Sequence, residues 1–464
     1  MATTTKPRTA ALKLPGSLRR SVLVLALPAV GEQVLNTLVG LADTFLVGHM
    51  SAATSVKLGY SSSAALAGVG LANQIVWLIT VLFIAVSVGS TALIARAGGA
   101  GDVDTANRVL RQSLLLGLLM GALATVGALA LATPAIQMLG AGEDMLPRGV
   151  AFLQIVALTF TPAALLFIGT AALRGAGDTR TPLYVMLGVN VVNIVISWLL
   201  INGNLGAPTL GVAGSAIGAA VARGGGGLLL IGLLLRGRSG LKLSLNIRPD
   251  REILRRLLRI GAPSGAEQLV FQGALLILIN FVTGLGTAAY AAHNVVLNIE
   301  SLSFLPGLGY ATAASALVGR ALGSGQPGRA EDSVYEALLQ GGLMMTVLGA
   351  IMALFPHQLL ASFVADPQVI AAGATPMRIA GLFQPFLAIN FIMSGGLRGA
   401  GDTRWPLYTK FISTWCVRLP LVFALLALNF GLTGFWIAMA TDFGVQALLA
   451  AWRFRTGKWK TMRV

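Results

Sequence analysis

Leu173-Arg174-Gly175-Ala176-Gly177-Asp178-Thr179-Arg180 returns, residue for residue, as Leu397-Arg398-Gly399-Ala400-Gly401-Asp402-Thr403-Arg404. Pro-Leu-Tyr follows one residue later both times, at 182–184 and 406–408. The offset is 224 residues (397 against 173), and Arg96-Ala97 with Gly101 recurs at that offset as Arg320-Ala321 with Gly325. Gly211-Val212-Ala213-Gly214 is answered by Gly431-Leu432-Thr433-Gly434, and Pro28 with Glu32-Gln33 by Pro263 with Glu267-Gln268. Four matches in one order mark an internal duplication. Each block also reads locally: Gly-Ala-Gly permits a tight turn. Asp-Thr then caps the next segment, with Pro two residues further on.

The repeats separate long apolar runs. Of the 464 residues 55% are hydrophobic and only 11% charged, with a mean hydropathy of +0.79. A soluble chain carries about 25% charge. This one cannot cover a water-facing surface, which excludes a secreted disulfide scaffold, a disordered chain and an ordinary cytosolic enzyme. The single Cys416 allows no internal disulfide or cysteine metal cluster, and three scattered His make no zinc site. Runs long enough to cross a bilayer predict an all-α polytopic membrane protein of twelve spans. They lie near 22–48, 62–95, 107–132, 149–172, 181–201, 209–235, 260–284, 287–318, 333–355, 371–396, 405–428 and 432–452. The duplicated unit is thus six spans. An even number returns the chain to its starting side, so the halves share one orientation, related by an axis along the membrane normal. That plan suits alternating access.

The net charge of +16 is distributed by side. Twenty-eight of the 33 Lys and Arg fall in the termini and the even-to-odd connections, three (Lys57, Arg148 and Arg378) on the other side, and Arg223 and Arg418 within spans. The positive-inside rule therefore places both termini in the cytoplasm of a multi-pass inner-membrane protein, and the charge reads as topology rather than nucleic-acid binding. The expected organisation is a cytoplasmic tail (1–21), an N-lobe (22–240), a linker (241–259) with a basic amphipathic helix at 249–259, a C-lobe (260–455) and a second tail (456–464). No short apolar core with a small-residue cleavage site is seen, so no signal peptide is expected.

The double Leu-Arg-Gly-Ala-Gly-Asp-Thr-Arg-x-Pro block resembles the multidrug and toxic compound extrusion (MATE) transporters. So do Asp43-Thr44-Phe45-Leu46-Val47-Gly48, Leu317-Val318-Gly319-Arg320 and Trp415-Cys416-Val417-Arg418-Leu419-Pro420. The likeness runs from about residue 20 to 455. It implies two six-helix lobes arranged as a V, and export of amphipathic, often cationic compounds driven by inward H⁺ or Na⁺. Span 1 looks most like the DinF-type branch, in which an N-lobe Asp takes the coupling ion.

Acids inside spans are expensive and are functional candidates by default. Five of the seventeen acids sit well within spans: Glu32, Asp43, Glu267, Glu300 and Asp442. Glu32, Asn36 and Asp43 fall on one face of span 1. Asp43 has no acidic counterpart in the second half, where Leu278 stands at the equivalent position, whereas Glu32 is matched by Glu267. A function confined to one lobe suits Asp43, and a shared structural role suits the duplicated pair. Asn190 and Asn193 are the obvious partners of Asp43. The DinF-type pattern resembles Asn-x-x-x-Asp in span 5 with a Thr in span 6. Here Asn193 is followed by Ser197, and Ala219 replaces the Thr. A hard cation wants several oxygen ligands, so the coupling ion is expected to be H⁺, with Na⁺ the alternative. His293 and Glu300, seven apart on span 8, form either a titrating pair or a hydrogen-bonded scaffold. Arg418 and Asp442 are expected to form a buried ion pair. Arg223 in span 6 has no evident partner.

The favoured function is a secondary active multidrug exporter; a lipid-linked oligosaccharide flippase of the wider MOP superfamily is the alternative. A nucleotide loop, a metal cluster and a nucleophile–base set are all missing from the sequence, so neither an enzyme nor a cofactor is expected. The expected partners are amphipathic cationic small molecules and membrane lipids, without nucleic acid, for a monomeric carrier.

Overall fold

In lipid every backbone polar group must be satisfied within its own segment, so a chain this apolar resolves into helices. The computed structural model describes residues 17–51, 54, 57, 62–244 and 248–462, with backbone alone at 62–65. Its helices are α1 (Leu18–Gly48), α2 (Ser62–Gly99), α3 (Val103–Met138), α4 (Leu146–Ala157), α5 (Phe160–Gly175), α6 (Arg180–Asn202) and α7 (Val212–Arg236). Then come α8 (Arg251–Thr283), α9 (Thr287–Gly323), α10 (Pro327–Leu354), the short α11 (Pro356–Ala361), α12 (Pro367–Ala400), α13 (Arg404–Phe411), α14 (Leu419–Ala427) and α15 (Gly431–Arg455). Among the described residues there is no strand beyond one bridge between Arg238 and Leu241. Among the described residues eleven helices are long and apolar enough to cross a membrane, or twelve if one bent pair is counted as a single span.

Three segments differ from the simple spans read in the sequence. The fourth is α4 and α5 bent by 57° at a break between Ala157 and Phe160. The eleventh, Arg404–Ala427, holds a π-helical stretch at Ile412–Arg418 between α13 and α14. The linker's amphipathic segment is no separate helix: α8 begins at Arg251 and runs unbroken into the seventh span. Residues 245–247 of that linker, most of the N-terminal tail and the last two residues lie outside the described residues.

The chain forms two compact units. One comprises Val34–Leu258; the other comprises 17–33 with 259–462 among the described residues. The division falls within α1, so Glu32 packs in the second unit and Asp43 in the first. Each unit has its own apolar core, around Phe83, Ile136, Phe152 and Ile201 in the first and Leu278, Met377, Phe435 and Trp436 in the second.

Lipid tails are as apolar as Leu, so membrane helices associate through close packing at small residues rather than by expelling water. The duplication shows in those contacts. A Cβ on Gly175 would lie 2.7 Å from the Thr91 carbonyl oxygen, and one on Gly399 would lie 2.2 Å from that of Ser315. A Cβ on Gly117 would meet Ile168 Cδ1 at 2.6 Å, and one on Gly341 would meet Ile392 Cδ1 at 2.9 Å. In every case the second pair stands 224 residues after the first, so the repeat read in the sequence is repeated in three dimensions within each unit.

The repeated loops are tied down in related ways. Asp178 Oδ1 accepts from Thr181 N (2.9 Å) and its Oδ2 from Thr181 Oγ1 (2.7 Å) and Ser239 Oγ (2.5 Å). Arg238 adds its charge at 3.6 Å. Burial opposes the charge on this loop carboxyl, but the hydrogen bonds from Ser239 and Thr181 with Arg238 outweigh it and hold the group below its ordinary value. In the second unit Arg453 Nε donates to Asp402 Oδ2 at 2.7 Å.

Candidate functional site

Asp43 stands half-buried on the C-terminal half of α1, inside an apolar segment. Asn193 Nδ2, on α6, lies 3.1 Å from both carboxylate oxygens. Ser197, one turn on, donates its hydroxyl to Asn193 Oδ1 at 3.3 Å. The amide is therefore oriented, nitrogen toward Asp43 and oxygen toward Ser197. Helix α7 is pressed against the same ridge: a Cβ on Gly218 would meet Ser197 Oγ at 2.2 Å and the Asn193 carbonyl oxygen at 3.1 Å. Only glycine lets the two backbones approach so closely, which fixes Ser197 and Asn193 beneath Asp43. Ala219 is buried and offers no oxygen.

Two expected members take other places. Asn190 is buried, but its Nδ2 has no hydrogen-bond partner among the described residues and does not reach Asp43. Asn36 is exposed, and Glu32 belongs by packing to the second unit, so the shared face of α1 does not make one cluster of the three. Glu267 accepts from Arg398 Nη2 at 2.6 Å, joining α8 to the repeated loop motif at the end of α12.

The second unit holds a larger polar assembly. Arg418, in the π-helical stretch, and Asp442, on α15, form an ion pair buried to 3% and 0% exposure. It is a charge contact rather than an aligned hydrogen bond: Arg418 Nε and Nη2 and Asp442 Oδ2 have no hydrogen-bond partner among the described residues. Asp442 Oδ1 accepts from Gln446 Nε2 (2.9 Å), and Gln446 Oε1 accepts from Asn390 Nδ2 (2.9 Å) and Lys410 Nζ (3.3 Å). The Arg418 guanidinium also lies over the Phe443 ring at 5.1 Å. Glu300 is buried and lines a cavity of about 10 Å³ with Gln384, Trp436 and Phe443. His293 does not meet Glu300; its ring packs edge-on against Phe435 (5.1 Å) and Trp436 (5.7 Å).

Sequence reasoning missed Gln446, Lys410, Asn390 and Gln384. Asp442 and Gln446 are four apart on one helix, a spacing that brings side chains together, and that was the available signal. No group of three or more metal-binding side chains occurs among the described residues.

A duplicated bundle with charges placed inside the apolar segments of each unit has the plan of a multi-pass membrane transporter. The MatE family model matches residues 28–199 and 263–424. A probable multidrug resistance protein NorM of Thermotoga maritima is 35% identical over 96% of this chain and 94% of its own length. An uncharacterized transporter YisQ of Bacillus subtilis is 30% identical over 97% of each. A structure described as the outward-facing conformation of a multidrug resistance MATE family transporter superposes with a TM-score of 0.88 at 24% identity, over 98% of this chain and 100% of that one. The chain belongs to the MatE family, whose relatives named above are a probable multidrug resistance protein and a transporter rather than enzymes.

Proposed function

We propose that this transporter exports amphipathic, cationic, drug-type compounds in exchange for inward protons, with Asp43 as the coupling carboxyl. The observation that carries the reading is that the side chain hydrogen-bonded to Asp43 among the described residues offers it nitrogen and not oxygen. Its hydrogen-bonding neighbour presents an amide nitrogen, Ser197 is committed to the far side of that amide, and Ala219 adds nothing. A Na⁺ ion needs a cage of oxygens, whereas a proton needs one carboxylate. The buried assembly of Arg418, Asp442 and Gln446 is read as support for the fold, and Glu267 with Arg398 likewise. The carrier is read as a monomer in the inner membrane with both termini cytoplasmic, as the distribution of Lys and Arg supports.

An ion can bias a two-state carrier only by binding its states with different affinity. In this reading Asp43 is protonated from the outside, and the proton leaves to cytoplasmic water after the carrier has turned. The test is efflux of a fluorescent cationic dye from proteoliposomes under separate ΔpH and ΔNa⁺. Stimulation by ΔpH without Na⁺ is expected; Na⁺-dependent efflux blind to ΔpH overturns the choice of ion.

A further inference from the structure

Arg223 lies on α7 within an apolar segment and has no hydrogen bond or ion pair within 4.0 Å among the described residues. The register of α7 against α6 gives its depth. Close contacts join Gly218 to Ser197 and, two turns on, Gly226 to Val189, where a Cβ would lie 2.3 Å from Val189 Cγ2. The helices run antiparallel, so position 222, halfway between those contacts, stands at the level of Asn193. Ala222 fills that position and is 2% exposed. Arg223 is its neighbour around the helix. It therefore sits at the depth of Asn193, and so of Asp43, which Asn193 touches.

The charge inventory of the unit points the same way. Between residues 34 and 258 the acids are Asp43, Asp102, Asp104, Glu143, Asp144, Asp178, Asp250 and Glu252. All but Asp43 lie in connections or at helix ends. Arg223 is the one basic residue placed mid-span in the same stretch. An unpaired cation in a bilayer is costly and takes a counter-charge where one can be reached. The two groups interact electrostatically, without the close contact of a salt bridge. From α6 the side chains at this level are Asn190, Asn193 and Ser197, none of them titratable. From α7 the one charged group is Arg223. Along α1 itself Glu32 packs in the other unit and His49 lies exposed near the outer end.

We propose that Arg223 is the built-in counter-ion of Asp43. The inference rests on the proton-coupled reading above and deepens it. When Asp43 holds its proton it is neutral, and the guanidinium stands apart, as in this structure. When the proton leaves to water, the long side chain reaches the carboxylate and occupies the space a metal cation would need. A fixed positive charge there also repels Na⁺. The site thus turns over with protons alone.

The experiment compares Arg223→Gln and Arg223→Lys with the unaltered protein in proteoliposomes. It measures dye efflux against pH and against ΔNa⁺. Removing the positive charge favours the protonated carboxyl, so Arg223→Gln is expected to move the midpoint of the pH profile to higher pH by about one unit, a tenfold change in proton concentration. Arg223→Lys keeps the charge and is expected to keep the original midpoint. An Arg223→Gln profile that coincides with the unaltered one overturns the proposal. Should Arg223→Gln fail to accumulate, the double variant Asp43→Asn/Arg223→Gln removes both charges and is expected to restore membrane abundance. A double variant no more abundant than the single also overturns it. Proton-driven efflux surviving in Asp43→Asn defeats the coupling assignment instead, whatever Arg223→Gln does.

Discussion

Replacing Asp442 by alanine leaves Arg418 as a charge at 3% exposure without its counter-ion. Breaking a buried pair by removing one partner costs about 3–5 kcal/mol, because the survivor stays desolvated. Gln446 Nε2 loses its 2.9 Å acceptor at the same time, which adds about 1–3 kcal/mol for an unsatisfied buried donor. Glu300 is near enough to Arg418 to interact electrostatically and offsets part of this. With roughly 2–4 °C of melting temperature per kcal/mol in a unit of 150–250 residues, the loss is on the order of 10 °C. The partner experiment is Arg418→Met with Asp442→Leu. Swapping a buried pair for packed apolar side chains is often neutral, or stabilising by about 1–4 kcal/mol, so this double variant recovers most of the loss. Fluorescence-detected size exclusion of heated, detergent-solubilised protein reads both. The reasoning is refuted if Asp442→Ala melts with the unaltered protein, or if the double variant melts no higher than the single.

Gly399→Ala places its Cβ 2.2 Å from the Ser315 carbonyl, and Gly175→Ala 2.7 Å from that of Thr91. Both should lower the yield of folded protein by size exclusion, Gly399→Ala the more. Asp178→Asn exchanges a charged acceptor for a neutral amide, losing about 1.5–3 kcal/mol with a charged hydrogen bond. Because the folded loop holds Asp178 below its ordinary value, its contribution is present above about pH 4, the unfolded value, and fades as pH falls through the folded one. Melting temperatures of the two proteins should therefore differ at pH 7 and converge in acid. A gap that stays constant down to pH 3 removes the carboxylate's charge from the explanation.

The fold was readable because its signals are long. Apolar runs, the side preference of Lys and Arg and a repeat at offset 224 each extend over tens of residues, and the Gly175–Thr91 and Gly399–Ser315 contacts show the repeat in packing. The Asp43–Asn193 pairing was legible because a carboxylate in an apolar segment needs a donor. The break of the fourth span and the π-helical stretch before Leu419 were not legible. Pro162 and Pro420, which lack the N–H that continues a helical ladder, stand just beyond the two sites, but Pro28, Pro134, Pro263 and Pro306 lie inside unbroken helices, so a proline in the sequence does not by itself mark a break. The shared face of Glu32, Asn36 and Asp43 was legible, but a helical face says nothing of what each side chain on it meets. Lys410, Gln446 and Asn390 come together from three segments, and only the folded unit shows them adjacent to Asp442.

The coupling role of Asp43 is tested most directly by ΔpH-driven dye efflux through Asp43→Asn, reconstituted at matched abundance. Asn keeps the volume and can hold a hydrogen bond to Asn193, but it cannot exchange a proton. Glu32→Gln serves as the control, expected to reduce abundance more than coupling. Folded Asp43→Asn that binds dye yet gives no efflux under ΔpH is the predicted result; efflux equal to that of the unaltered protein contradicts the account.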